Sequence, residues 1–354
     1  MKLKNSYFNN YLLIVLLVHL KYGVVYIGGI TGHFELGVSL INNEWSDLRN
    51  YYWSDSPLFN ILQKILRIEK FENYVVFIYL LTMLILFLIA MKIYELGKLS
   101  TVFILSGWLI STSWVFGLVD ALLVLLILHI FIDLITKNEF STKSFFFNSI
   151  LVFNHFAIAI FINFLIFVLW KKNKFKKLII ILSSFVSGLV LNIFYKSIIG
   201  FNGETRLHYL LRPDTIPNLF ENNPALLKYV LFSGFYGFVP FLIYFLLTSS
   251  NSSKIIIPFV VAIMGSSLAQ DTSRIFSYLI IPVILIVIFE LNDLLKEENF
   301  KYFNSLIIVS FLIVIFVEEY WVIHPEYIFN GKDYGGFSKL IYEILISKIN
   351  FIIR

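Results

Sequence analysis

The chain has no cysteine. That excludes disulfides, thiolate metal sites and thiol nucleophiles, and it says little about compartment. Charge is scarce: Asp, Glu, Lys and Arg make up 14% of the 354 residues, against roughly 25% in a soluble domain. Arginine is scarcer still. Of 28 basic residues only six are arginine, at Arg49, Arg67, Arg206, Arg212, Arg274 and Arg354. A Gly-rich phosphate loop, a His-Glu-x-x-His zinc motif and a serine nucleophile elbow are all missing. Basic residues are not interleaved with aromatics in any soluble stretch, which discounts nucleic acid as a partner. No internal repeat is evident and no linker divides the chain.

What the chain has instead is hydrocarbon. Hydrophobic residues make up 58% of it, in runs that approach or exceed the roughly 20 residues a bilayer crossing requires. The short alternating segments of a membrane barrel are absent, so the expected fold class is all-α, a polytopic transmembrane bundle. Candidate spans are 10–30, 73–92, 100–118, 120–136, 178–198, 227–248, 255–270, 275–291 and 303–321, about nine full spans. The basic start, Lys2 and Lys4, precedes an apolar run without a small-residue cleavage site, which reads as a retained first helix. Heavy use of Phe, Ile, Lys, Asn and Tyr is a compositional hint of an AT-rich coding region.

Lysines near helix ends set the orientation. Lys2 and Lys4 put the N-terminus inside. Lys92, Lys98, Lys137, Lys143 and the cluster Lys171, Lys172, Lys174, Lys176 and Lys177 mark further inner ends. Segment 144–170 therefore has lysines at both ends. A hairpin of two short membrane segments, bent near Asn154 and His155, satisfies both clusters; a straight helix with one cluster misplaced is the plainer alternative. With the hairpin, loops 31–72, 118–120, 199–226, 271–274 and 322–354 fall outside, and 249–254 and 292–302 inside. Every arginine is then at the outer face. The expected organisation is one transmembrane domain over 1–354, with two sizeable outer loops, 31–72 and 199–226, and an outer tail, 322–354, whose stretch 337–354 reads as a surface amphipathic helix.

Arginine presents a planar fork of donors that matches phosphate and carboxylate, so polar residues at this outer face are candidates for handling an anion. The first loop carries His33, Glu35, Glu44, Asp47, Arg49 and Asp55 among Trp45, Tyr51, Tyr52 and Trp53. Glu35 or Asp47 could take a proton from a sugar hydroxyl; either could equally be a solvated loop acid. Asp120 opens an apolar run and suits the positive end of a helix dipole, a role that would also hold it facing a cavity. His155, at the expected bend, is either a packing residue or a polar contact to substrate. Arg206, Tyr209 and Arg212 are spaced to share a helix face, beside Glu204, His208 and Asp214. They suit a phosphate headgroup or simple interfacial anchoring. Gln270 to Arg274 separates two apolar runs with almost no loop, so Asp271 and Arg274 sit at the membrane boundary, paired with each other or functional. Glu318, Glu319 and His324 end the last run on the same face. His19 and Lys21, inside the first span, need partners.

The acid- and aromatic-rich first loop, Ser56-Pro57-Leu58 before an amphipathic stretch, Val119-Asp120-Ala121-Leu122-Leu123 opening a span, and the hairpin with both ends inside resemble the polyprenyl-dependent GT-C glycosyltransferases. The Asp-Thr-Ser-Arg turn running into 275–282 is similar to a motif of bacterial cell-surface polysaccharide proteins, including Wzy-type O-antigen polymerases. Two departures stand out. The family's early catalytic acid is aspartate where this chain has Glu35, and no large soluble outer domain follows the membrane region. The resemblance implies an inverting glycosyltransferase in a bacterial inner membrane, acting on sugars carried by undecaprenyl phosphate or pyrophosphate. The expected site comprises Glu35, Asp47 and Asp271 as catalytic residues, with Arg206, Arg212, Arg274, His155, Asp120 and Arg49 on substrate and phosphate. No cofactor is expected, and a divalent metal is left open. The expected partners are the lipid-linked saccharide, the bilayer and other polysaccharide-assembly membrane proteins. A single-sugar GT-C transferase and a flippase of lipid-linked sugar are the alternatives.

Overall fold

The computed structural model describes residues 7–24, 29–44, 54, 56–171, 174–201, 203, 224–267, 272–296, 302–317, 320–323 and 327–330. Among these the chain is helical apart from one short ribbon. In chain order, the first half runs through α1 (Tyr7–Leu16), which continues as a π-helix over Leu17–Tyr22, α2 (Gly29–Asn42), α3 (Pro57–Leu66), α4 (Phe71–Ile93) with a 3-10 turn over Tyr94–Leu99, α5 (Ser100–Ile104), α6 (Trp108–Trp114) and α7 (Asp120–Lys137). Next come α8 (Thr142–Asn154), α9 (Phe156–Leu169), α10 (Lys174–Ile198), α11 (Pro224–Phe235), a 3-10 turn over Tyr236–Phe238 and α12 (Val239–Thr248). The last part is α13 (Ile256–Ser267), α14 (Thr272–Leu279), α15 (Ile281–Lys296) and α16 (Phe303–Phe316). Strands β1 (Tyr320–Ile323) and β2 (Tyr327–Asn330) pair antiparallel, Tyr320 opposite Asn330. Within the expected outer tail, residues 322–323 and 327–330 carry strand, and 337–354, the expected surface helix, lie outside the described residues.

The expectation of about nine full spans is corrected. Among the described residues three helices are long and apolar enough to cross a membrane: Phe71–Ile104, Lys174–Ile198 and Leu227–Thr248. A fourth is reached if Ser273–Leu279 and Ile281–Leu295, bent by 40°, count as one. The rest of the apolar sequence folds into shorter pieces, because an apolar run fixes length in hydrocarbon and not straightness. The run 10–30 loosens into the π-helix and stops at Gly23, where φ is 74°. Run 100–118 breaks between α5 and α6.

That second break is held by the protein itself. The Gly107 amide donates to the Gly234 carbonyl at 3.0 Å, and the Gly237 amide donates to the Leu105 carbonyl at 3.0 Å. The interruption of one apolar segment is therefore hydrogen-bonded to the interruption of another, the 3-10 turn after α11. Irregular backbone at membrane depth is tolerated only when its polar groups find partners of this kind. Contact is so close that a Cβ on Gly107 would lie 1.6 Å from the Ser233 carbonyl oxygen, so glycine is required there.

Segment 144–170 is a hairpin. Its arms, α8 and α9, meet at His155, whose φ of −156° and ψ of 74° leave the helical region. Arms of 13 and 14 residues reach about 20 Å each at 1.5 Å per residue. Their far ends are tied together: the Lys171 amide donates to Asn138 Oδ1 at 2.8 Å, and Trp170 Nε1 donates to the Asn138 carbonyl at 3.1 Å. Between the arms, Asn148 and Asn163 exchange side-chain hydrogen bonds at 2.8 and 3.2 Å, and Asn148 also donates to Ser184 on α10. Such bonds between apolar helices contribute about 0.6 kcal/mol each.

The hairpin base belongs to a lysine-rich end of the bundle. Lys92 pairs with Glu95 at 2.9 Å and lies 3.6 Å from Asp133, which also pairs with Lys137. Lys254 pairs with Glu290 at 2.7 Å, and Asn292 donates to the Leu96 carbonyl. These contacts join the ends of α4, α7 and α15 and the turn between α12 and α13 to one another. Asp120 is 13 residues before Asp133 on α7, about 20 Å away, as the hairpin tip is from its base.

Candidate functional site

At the end opposite these ion pairs, α7 begins with Asp120, which is fully buried. Arg274, on the first turn of α14, reaches it with both arms of its fork: Nε donates to Oδ1 at 2.6 Å and Nη2 to Oδ2 at 2.9 Å. Tyr278, one turn further along α14, donates its hydroxyl to Oδ1 at 2.8 Å. Between them Ser277 bonds Ser111 of α6 at 2.7 Å. Arg274, Ser277 and Tyr278 fall at i, i+3 and i+4, so one face of α14 presents all three to α6 and α7. A carboxylate with three charge-compatible donors is well satisfied, as it must be where little water reaches.

The expected neighbour pairing, Asp271 with Arg274, falls outside the described residues, and a long-range partner of the arginine is seen instead. Arg274 is held by Asp120 in a bidentate geometry, and Asp271 lies outside the described residues. The arginine reaches its site with its charge balanced. It anchors α14 against α7, and its side chain keeps 13% of its exposure.

His155 is 6% exposed. Its Nδ1 accepts from the Ile158 amide at 3.3 Å, so the ring caps α9 and the neutral form carries its proton on Nε2. Beside it, Asn154 docks the tip onto α3. Its Oδ1 accepts from the Leu58 amide at 3.1 Å and its carbonyl accepts from the Ser56 hydroxyl at 3.1 Å. The hairpin tip therefore supplies the cap that the first turn of α3 needs. In turn α9 packs on both α7 and α14, which brings the tip's helix to the Asp120–Arg274 pair.

Glu35 stands not on a loop but on α2, where it is exposed. The opposite face of that helix is buried: His33 donates from Nδ1 to Asn60 Oδ1 at 3.3 Å, and the fully buried Gln63 of α3 donates to the carbonyls of Phe34 and Ile68. Asp47, Arg49, Arg206, Arg212 and Asp271 lie outside the described residues. His19, flagged as needing a partner, has two. Nδ1 donates to the Val15 carbonyl and Nε2 meets the Tyr79 hydroxyl, both at 2.9 Å.

Sequence reading missed Tyr278, Ser277 and Ser111, and named Asn154 only for the bend. For the first two the signal was present, in their helical spacing from Arg274; nothing local marks Ser111 or the capping role of Asn154. Among the described residues no three His, Asp or Glu side chains gather closely enough to hold a metal ion. No protein-family model, curated protein or solved structure matches the chain.

Proposed function

We propose that the chain is an inverting glycosyltransferase of a bacterial inner membrane, with its N-terminus in the cytoplasm and its site at the outer face. Its donor is a sugar or oligosaccharide on undecaprenyl phosphate or pyrophosphate. Within that class the reading is a repeat-unit polymerase for O antigen or capsule, in preference to a GT-C transferase adding a single sugar. The observation that carries it is segregation. The ion pairs of Lys92, Lys137 and Lys254 with Glu95, Asp133 and Glu290 gather at one end of the bundle, while Asp120, Arg274, Tyr278 and the His155 tip lie about 20 Å away at the other. An enzyme of the outer leaflet needs its polar groups on one face, whereas a transporter needs them near mid-membrane.

In this reading Glu35, exposed on α2, or Asp47 is the base for the acceptor hydroxyl. Arg206 and Arg212, with Arg49, meet the leaving phosphate, where negative charge develops. Asp120 balances the charge of Arg274, which stands at the same face, and Asp271 and His155 position these groups or the sugar. His155 positions the hairpin tip against α9.

The test replaces Glu35, Asp47, Asp271 and Arg274 singly in the producing bacterium and resolves surface polysaccharide on a gel. Loss of long chains with single-repeat product retained supports the polymerase. Full-length polymer in every variant refutes the enzyme. One observation favours a second reading, a flippase of lipid-linked sugar: the two interrupted helices bonded break to break through Gly107 and Gly237, an arrangement that transporters use at substrate sites. Complete absence of product, with lipid-linked sugar retained on the inner leaflet, selects it.

A further inference from the structure

At the lysine-rich end, the first turns of α1 and α16 and the start of α5 enclose an open cavity of about 440 Å³. That volume is in the range of about 300–1,000 Å³ typical of small-ligand sites. Its lining changes character along the helices. Near their first turns are Asn9 and Asn10 of α1, Asn304 of α16, and Lys98 and Thr101 at the entry to α5. Further along, Leu13 lies one turn along α1, and Ile307 and Phe311 lie one and two turns along α16. These positions follow the polar ones at i+3, i+4 and i+7, on the same helix faces.

Among the described residues, two of these polar groups lack partners. Asn10 is 3% exposed and its Oδ1 accepts from the Ser100 hydroxyl at 3.1 Å, yet its Nδ2 has no hydrogen-bond partner. A buried donor without an acceptor is disfavoured unless a ligand supplies one. Lys98 is exposed and, among the described residues, has no ion-pair partner. A cation and an unpaired amide donor above an apolar wall match an amphiphile with an anionic head and a hydrocarbon tail.

We propose that this cavity binds an anionic glycerophospholipid of the leaflet on the lysine-rich side. Its headgroup oxygens meet Lys98 and accept from Asn10 Nδ2, and one acyl chain follows Leu13, Ile307 and Phe311 into the bilayer. The inference is independent of the transferase reading, since the cavity lies at the other end of the bundle from Asp120 and Arg274.

The test uses the full chain in detergent and native mass spectrometry. Phosphatidylglycerol and phosphatidylcholine of identical acyl chains are offered separately, with inorganic phosphate as competitor. The expected result is one retained phosphatidylglycerol, bound about fivefold better than phosphatidylcholine, the scale of one lysine beside an anionic lipid. Lys98→Gln should abolish the preference, Lys98→Arg should keep it, and Phe311→Ala should weaken both lipids alike. Equal retention of the two lipids by the unmodified chain, or an undiminished preference in Lys98→Gln, overturns the proposal. Displacement by millimolar inorganic phosphate also overturns it, because the site would then hold a soluble anion. Lys98 is exposed, so its variants test binding without disturbing a packed core.

Discussion

Removing Asp120 should unfold this protein more readily than removing any other single carboxylate among the described residues. Asp120 is fully buried and accepts from Arg274 twice and from Tyr278 once. Charges at about 4 Å attract by about 4 kcal/mol at an effective dielectric of about 20, most of it spent on offsetting their desolvation. Asp120→Leu takes the carboxylate away and leaves a guanidinium, 13% exposed, facing hydrocarbon. Breaking a buried pair from one side destabilises by about 3–5 kcal/mol, and the orphaned Tyr278 hydroxyl adds about 1–3 kcal/mol. Arg274→Met should be similarly harmful. The double variant should be far milder than the sum, because two apolar side chains of similar volume can replace a buried pair at little cost. The assay is equilibrium unfolding in mixed micelles, read by tryptophan fluorescence. If the two single effects add within about 0.5 kcal/mol, the side chains do not act as a pair and the account of this site is wrong.

Three further outcomes follow from other contacts. Gly107→Ala should cost about 3 kcal/mol or more, since its Cβ would meet the Ser233 carbonyl oxygen, backbone that cannot swing away; a loss under about 1 kcal/mol would mean the two helix interruptions do not cross. Because the chain has no cysteine, single substitutions report topology directly. Lys143→Cys and Lys171→Cys should both react with a membrane-impermeant maleimide from one side only, and the same side; opposite sides would restore a straight helix over 144–170. Asn154→Ala should lose the caps on α3 and about 1 kcal/mol, as N-cap deletions do, while Asn154→Asp should recover most of it in the same unfolding assay; equal losses would refute the capping role.

The parts of this fold that could be read in the sequence are those set by short-range electrostatics and length. Lysines on both flanks of 144–170 demanded a return to the same side, and Asn138 bonded to Trp170 and Lys171 is that return. The long apolar runs 73–92, 178–198 and 227–248 became long helices. Elsewhere length misled. Hydropathy is a sum over a window, blind to a backbone break that costs nothing in apolar area. Run 100–118 looked like a span because Leu105, Ser106 and Gly107 hardly lower that sum, yet those residues form the interruption. What marks it is a partner more than a hundred residues later, at Gly234 and Gly237.

The Asp120–Arg274 pair hides for the same reason. Its members are 154 residues apart, and Asp271 stands beside the arginine as an obvious local partner. What could have drawn attention to Asp120 is burial. A carboxylate fully buried at the start of α7 is disfavoured unless donors come to it, and Arg274 and Tyr278 of α14 supply them. Applied to the sequence alone, the same reasoning marks Asp120, the acid that opens an apolar run, as an acid in need of a distant arginine.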